Sequence, residues 1–219
     1  MNSTVQFLLS LTIAIAAVIG IIRYRKMNPD YHPLVYSAIL ATIFEIAFEF
    51  IKYEYHPRIY MIMGIVYPLV DFLLLAWLFH NWGLFNRNKK LFGTILGAFF
   101  IAWAVSAYLS IITKRSEAIY FFIFLYSTAL ILFSVNTFNR FVVQERVNIF
   151  KNPKFWVCIG VIIFYTFFIL TTIPLLPGFD GTFTKKFQEM RFYVNALVNL
   201  IYAIAVLWIP RKKPITTLS

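Results

Sequence analysis

The sequence predicts an all-α integral membrane protein, a single domain built as a bundle of seven transmembrane helices. Composition is the first reason: of 219 residues, 61% are apolar and 13% are charged, whereas soluble domains are about half apolar and a quarter charged. Length is the second, because seven apolar stretches each approach the roughly 20 residues that a helix needs to cross a bilayer. Only short connections separate them, so no soluble domain is expected.

The predicted spans follow one another at short intervals. They run over residues 5–22, 34–53, 59–79, 91–112, 118–138, 156–176 and 190–209. Pro33 and Pro153 stand just before the second and sixth spans, and proline is favoured in the first turn of a helix. Gly178 and Gly181 interrupt the connection before the seventh span. Pro68, inside the third span, lacks a backbone donor and can free the carbonyl of residue 64.

Basic residues predict the orientation of the bundle, because Lys and Arg collect on the cytoplasmic side of short loops. Thirteen of the 20 Lys and Arg residues fall on one set of connections and the tail. They are Arg23, Arg25, Lys26, Arg87, Lys89, Lys90, Arg140, Arg146, Lys151, Lys154, Arg211, Lys212 and Lys213. We therefore expect the N-terminus outside and the C-terminus in the cytoplasm, in an inner or plasma membrane. The net charge of +11 then needs no nucleic-acid partner.

Gly93 and Gly97 on the fourth span form a GxxxG pattern. Small residues at this spacing let two helices approach closely in a membrane. The pattern predicts close helix packing within the bundle, with a homodimer face as the alternative.

Only three acidic residues lie well inside the predicted spans: Glu45 and Glu49 on the second and Asp71 on the third. By helical rise, these side chains lie about 6 Å (Glu49), 12 Å (Glu45) and 18 Å (Asp71) from the outer boundary. No basic residue lies at the midplane, so Glu45 and Asp71 are expected to take up a proton or bind a cation. Ionisable residues at this depth are functional candidates.

Further polar residues lie at similar depths. Asn195 and Asn199 share one stripe of the seventh span, and Tyr165 lies on the sixth. Together with the three acids, they form the predicted ligand- or ion-binding site. The alternative is that these side chains are interhelical hydrogen-bonding groups without a ligand.

Several established site types do not fit the sequence. The seventh span has no lysine for a retinal Schiff base, and His32, His56 and His80 lie at span ends rather than in a zinc-binding cluster. Cys158 is the only cysteine, which excludes an internal disulfide or a CxxC pair. We therefore expect no metal, no cofactor and no catalytic residue.

The sequence favours a small proton- or cation-coupled carrier of a small solute, working through the acidic layer. The alternative is a seven-helix sensor or membrane subunit that signals through a separate cytoplasmic partner. The loop from Asn139 to Phe155, which mixes apolar and basic residues, is the predicted docking segment for that partner. An intramembrane lipid-modifying enzyme is the least favoured class, since no catalytic motif is present.

Overall fold

The structure, a computed structural model, is helical throughout the part of the chain that it describes. It describes residues 3–51, 56–86, 89–113, 117–144, 149–172 and 181–212. The helices are α1 (Ser3–Ser10), α2 (Ile13–Arg23), α3 (His32–Phe50), α4 (Pro57–Asn81), α5 (Lys89–Thr113), α6 (Glu117–Gln144), α7 (Pro153–Thr172) and α8 (Gly181–Trp208).

Within these described residues, seven helical segments are long and apolar enough to cross a membrane, as the sequence predicts. α1 and α2 together make the first segment, and α3 to α8 make the other six. One predicted boundary is too long, because α3 ends at Phe50 rather than 53, and the last four residues of the sixth predicted span, 173–176, lie outside the described residues. Two other predicted spans are clearly too short: α6 continues to Gln144, which makes the first part of the predicted docking loop helical, and α8 begins at Gly181 rather than 190.

The first membrane-spanning segment is interrupted at Leu11 and Thr12, between α1 and α2, although the sequence has no proline or glycine there. The Thr12 hydroxyl donates to the Leu9 carbonyl at 2.6 Å, and the Ala14 amide bonds the Leu11 carbonyl at 2.9 Å. The amide that would normally reach the Ser10 carbonyl is therefore engaged elsewhere. This leaves Ser10 with a carbonyl that needs a donor from another helix.

Pro68, by contrast, does not end its helix, because α4 runs on from Pro57 to Asn81. The indole of Trp103, on α5, donates to the Ile65 carbonyl at 2.8 Å. This bond lies one residue beyond the carbonyl that the sequence singled out. A side chain from a neighbouring helix thus supplies a donor beside the proline, as helix-interior prolines in membranes require.

The bundle has two ends, which we name after residues that lie there. At the Arg23 end, α2 ends and α3 begins; at the Pro57 end, α3 ends and α4 begins. α8 packs against α7 and α2, α6 packs against α7, and α3 packs against its neighbours α2 and α4. α5 contacts mainly α6 and stands at the edge of this arrangement. Large aromatic side chains, Phe72, Phe79 and Phe122 among them, fill the core without measurable exposure.

The predicted close packing at Gly93 and Gly97 within the bundle is wrong for the described residues. Both glycines are exposed on α5, and a Cβ placed on either would meet no atom within 4 Å. The reason is the edge position of α5, which turns this face away from the other helices. The homodimer alternative stays a prediction.

Gly160 on α7, in contrast, is a close-contact position, so we expect Gly160→Ala to destabilise the protein by about 1–3 kcal/mol through overpacking. A Cβ at this position would lie 2.6 Å from the Cε1 atom of Tyr202 on α8. Thermal unfolding in detergent measures the effect. Gly97→Ala is the matched control, because it adds the same methyl group to open space and improves helix propensity. Equal midpoints for the two variants would contradict the predicted α7–α8 contact.

Candidate functional site

A cavity of about 840 Å³, counted to its open mouth, lies inside the bundle. Helices α1, α2, α3, α4, α6, α7 and α8 all contribute to its walls. Five of the six predicted site residues line it: Glu45, Asp71, Tyr165, Asn195 and Asn199. Four separate helices carry these side chains, so the fold brings together residues far apart in sequence.

Glu49 is the sixth predicted residue, and it does not line this cavity. It lies one turn beyond Glu45, close to the end of α3 at Phe50. The expectation that all three acids share one pocket therefore holds for Glu45 and Asp71 only. On α3 the lining of the cavity ends with the turn that carries Glu45, and Glu49 lies one turn further along, near the end of the helix.

The cavity opens towards the Pro57 end. Its lining spans Arg191 to Val206 on α8, which corresponds to about 22 Å of helical rise. Arg191 is exposed and Glu45 is partly buried, whereas Val206 and Ala16, at the far end, are 0% exposed. This gradient of exposure along the lining indicates a cavity with one mouth, near Arg191, and a closed floor.

Arg23 lies just below that floor and holds the end of α8. Its guanidinium donates to the Val206 carbonyl at 2.7 Å and the Ile209 carbonyl at 3.0 Å, and also to the Leu207 carbonyl. These carbonyls are the ones that the end of a helix leaves without intrahelical donors. A cation at a helix C-terminus is also favoured by the helix dipole. One side chain of α2 thus closes the bundle at this end.

Backbone contacts reinforce this closure. The Asn28 amide donates to the Pro210 carbonyl at 3.0 Å, and the Lys212 amide donates to the Lys26 carbonyl at 2.9 Å. Met27 and Arg211 form an isolated antiparallel bridge between the two segments. The connection after α2 and the segment after α8 are therefore tied together directly beneath the cavity.

Asp71 is the most buried acid in the cavity, at 5% exposure. The Ser37 hydroxyl, from α3, donates to its Oδ1 at 3.2 Å, and the Tyr165 hydroxyl, from α7, donates to Oδ2. Both hydrogen-bond partners that the structure gives this carboxyl are neutral hydroxyls. Its neutral hydroxyl partners orient the group without balancing its charge, which leaves it able to hold a proton or a cation.

Glu45 has different surroundings, nearer the mouth. The Ser10 hydroxyl lies within hydrogen-bonding reach of its carboxyl, and the positive charge of Arg191 acts on it. Arg191 also lies over the ring of Phe168, 4.9 Å from the ring centroid. A positive charge on α8 therefore acts on the acid near the mouth, while the hydrogen-bond partners of Asp71, deeper in the cavity, are neutral hydroxyls.

Asn199 forms hydrogen bonds with the interrupted first segment. Its side-chain amide donates to the Ser10 carbonyl at 3.3 Å and to the Thr12 hydroxyl at 3.0 Å. An unsatisfied carbonyl in an apolar interior costs about 1–3 kcal/mol. This contact matches the interhelical hydrogen-bonding alternative for Asn199, while Asn195, one turn nearer the mouth, lines the cavity beside Arg191.

Three tyrosines that the predicted site did not include also line the cavity: Tyr67, Tyr126 and Tyr202. The negative charge of Asp71 acts on all three side chains. Two of them carried a usable signal in the sequence, since Tyr67 precedes Asp71 by one helical turn and Tyr202 follows Asn199 by three residues. Tyr126, on α6, had no such signal.

The cavity lacks the donors of a transition-metal site. Histidine is absent from its lining, and the described residues contain no group of three or more His, Cys, Asp or Glu side chains that could hold a metal ion. Its polar groups are carboxyl, amide, hydroxyl and guanidinium groups, which are not the thiolate and imidazole ligands that transition metals prefer.

Comparison with protein-family models, with curated proteins and with solved structures gives no match to this chain.

Proposed function

We propose that this chain is a proton- or cation-coupled carrier of a small solute, with Asp71 as the coupling group. The observation that carries the proposal is the position of Asp71: a carboxyl with hydroxyl partners only, deep in a cavity that opens at one end. A carboxyl that gains or loses one charge at this position has a different interaction energy with each arrangement of the surrounding helices. Such differential binding is what shifts a conformational equilibrium.

The closed floor supports the same proposal. A carrier needs a cavity that is open to one side of the membrane at a time. The decrease in exposure from Arg191 to Val206 supports this, because it leaves the cavity open at the Pro57 end and closed at the Arg23 end. In the proposed orientation the mouth at the Pro57 end faces outside, and the basic Arg23 end faces the cytoplasm of a cell with this protein in its inner or plasma membrane. Transport then requires the contacts of Arg23 with α8 to open and close.

We predict that the floor residue Ala16 becomes reachable from the Arg23 end when pH or cation concentration changes. The test uses Cys158→Ser to remove the only native cysteine, followed by Ala16→Cys. A membrane-impermeant thiol reagent is applied to each side of proteoliposomes across pH, sodium and potassium. Ala16 is fully buried, so labelling reports opening of the floor.

Lys26→Cys in the same background is the control, because Lys26 is exposed at the Arg23 end and should react from that side under every condition. It also checks the orientation. Labelling of Ala16→Cys that never occurs from the Arg23 side, at any pH or cation concentration, would show that the cavity does not alternate and would rule out the carrier.

A sensor is the second candidate, and the ties at the Arg23 end favour it. Arg23, Asn28 and Met27 link the floor of the cavity directly to the segment that follows α8. Occupancy of the cavity that shifts α8 would therefore alter the surface presented at this end without opening the floor. A cytoplasmic partner would read that change, with the segment from Asn139 to Phe155 as the proposed contact.

A further inference from the structure

We propose that the solute is an organic monocation carrying a methylated ammonium group, held by Asp71 and by the aromatic rings around it; this inference rests on the proposed function of the same cavity. Three formally charged side chains line the cavity: Glu45, Asp71 and Arg191. The formal charges of these three side chains add up to −1, and the hydrogen-bond partners of Asp71 are neutral hydroxyls. A ligand with one positive charge balances this net charge.

Aromatic side chains make the walls next to Asp71. The rings of Tyr126 and Tyr165 lie 5.7 Å apart at 78°, and those of Tyr165 and Phe164 lie 5.0 Å apart at 88°. All three line the cavity, so consecutive walls meet nearly at right angles. Tyr67 and Tyr202 complete the lining close to the carboxyl. Aromatic walls around a negative charge are the arrangement that recognises alkylated ammonium groups.

The same lining argues against a bare metal cation. Sodium or calcium needs several oxygen ligands in a tight shell to replace its water. The carboxyl of Asp71 already accepts the Ser37 and Tyr165 hydroxyls, and the side chains that line the cavity next to it are largely aromatic. A methylated ammonium group is weakly hydrated, and its methyl groups can pack directly against aromatic rings.

Binding of the organic cation and of a proton would be mutually exclusive at Asp71. The protonated carboxyl has no charge to offer an ammonium group, whereas the ionised carboxyl attracts it. This exclusion couples the two ligands without a second site. No bond other than that of the acidic proton changes, so the step is an exchange of one positive charge for another.

Isothermal titration of the purified full chain with choline tests the ligand class. The comparison ligand is the neutral carbon isostere of choline, in which a tert-butyl group replaces the trimethylammonium group. We expect choline to bind the wild-type protein at pH 8 at least about tenfold more tightly than the isostere, because only choline has the charge that the cavity lining attracts. Equal affinities, or no binding of choline, would overturn the proposal.

Variants and a competing ion sharpen the test. Tyr126→Leu removes one wall and is expected to weaken choline binding about five- to tenfold. Tyr193→Leu is the control, since Tyr193 is 58% exposed on α8 and does not line the cavity. Sodium at the same concentration should leave choline bound, and full displacement by sodium would identify an inorganic cation site instead. The comparison of choline with its isostere needs no variant and stands even if Tyr126→Leu does not fold.

The two proposals can fail separately. Choline binding without any labelling of Ala16→Cys from the Arg23 end would leave an organic-cation site in a sensor and exclude the carrier. Labelling that responds to pH, combined with no preference for choline over its isostere, would leave the carrier and exclude this class of solute.

Discussion

Asp71→Asn is expected to weaken choline binding about a hundredfold and to remove its pH dependence. At a separation of about 5 Å and an effective dielectric constant of about 20, two unit charges attract by roughly 3 kcal/mol, and this attraction is lost with the carboxylate. Asparagine keeps the shape of aspartate: its amide oxygen can accept from one of the two hydroxyls of Ser37 and Tyr165, and its amide nitrogen can donate to the oxygen of the other. The loss would therefore report charge rather than folding.

The sign of the pH effect follows from linkage. Choline binds only the ionised form of Asp71, so a proton is released on binding and affinity rises with pH, by at most about tenfold per pH unit. At high pH, where Asp71 is ionised throughout, the affinity becomes constant. Titration of the wild-type protein in steps from pH 5 to pH 9 measures the slope, and Asp71→Asn should give a flat profile.

Other ionisable groups near Asp71 must be separated from it. Glu45 and Arg191 line the same cavity, and Tyr67, Tyr126 and Tyr202 surround the carboxyl. Glu45→Gln should retain the slope, since it leaves the Asp71 carboxyl and its two hydroxyl partners in place. Glu49→Gln, outside the cavity, is the matched control and should resemble the wild type in both affinity and slope. A slope that persists in Asp71→Asn and disappears in Glu45→Gln would assign the coupling to Glu45 and contradict this prediction.

Arg23→Ala is expected to lower the free energy of unfolding by about 2–4 kcal/mol and to open the floor of the cavity. The substitution removes hydrogen bonds from a charged donor to the carbonyls of Val206, Leu207 and Ile209. Each such bond contributes roughly 1.5–3 kcal/mol, and water at the end of the bundle replaces part of that. In the cysteine background, Ala16→Cys should then react from the Arg23 end under all conditions.

Two comparisons make this prediction specific. Arg25→Ala removes the same charge from an exposed position two residues away and should change neither stability nor labelling. Arg23→Lys keeps the charge but cannot reproduce the forked geometry of a guanidinium, so an intermediate loss is expected. If Arg23→Ala and Arg25→Ala unfold at the same midpoint in detergent, the contacts of Arg23 do not hold the floor closed.

Seven helices could be predicted from the sequence because the signal is local. A hydrocarbon layer requires about 20 apolar residues in succession. Each of the seven stretches meets that requirement by its own length and composition. The grouping of Glu45 and Asp71 was also accessible, since α3 and α4 are joined by few residues and must lie side by side. Helix ends were less accurate: α6 continues six residues past 138, through a stretch that contains neither proline nor glycine.

The broken first segment and the closed floor could not be predicted, because they depend on residues almost 190 positions apart. Thr12 and Ser10 form a break only because Asn199 supplies the missing donor. In the sequence, Arg23 was one of thirteen basic residues used to predict the orientation. In the fold, its guanidinium donates hydrogen bonds to carbonyls at the end of α8. Pro68 showed the converse, since the helix continues through a proline that has a neighbouring donor.

The sequence by itself determined that the chain forms seven apolar helices and that three of its nine acidic residues lie well inside them, because hydropathy and charge act residue by residue. The tertiary structure alone decided which polar side chains meet. It separated Glu49 from Glu45, placed Tyr126 and Tyr165 beside Asp71, and turned Gly93 and Gly97 outwards while Gly160 packs against Tyr202. Those outcomes depend on how each helix is rotated about its axis, and this rotation is set by packing between helices rather than by any one of them.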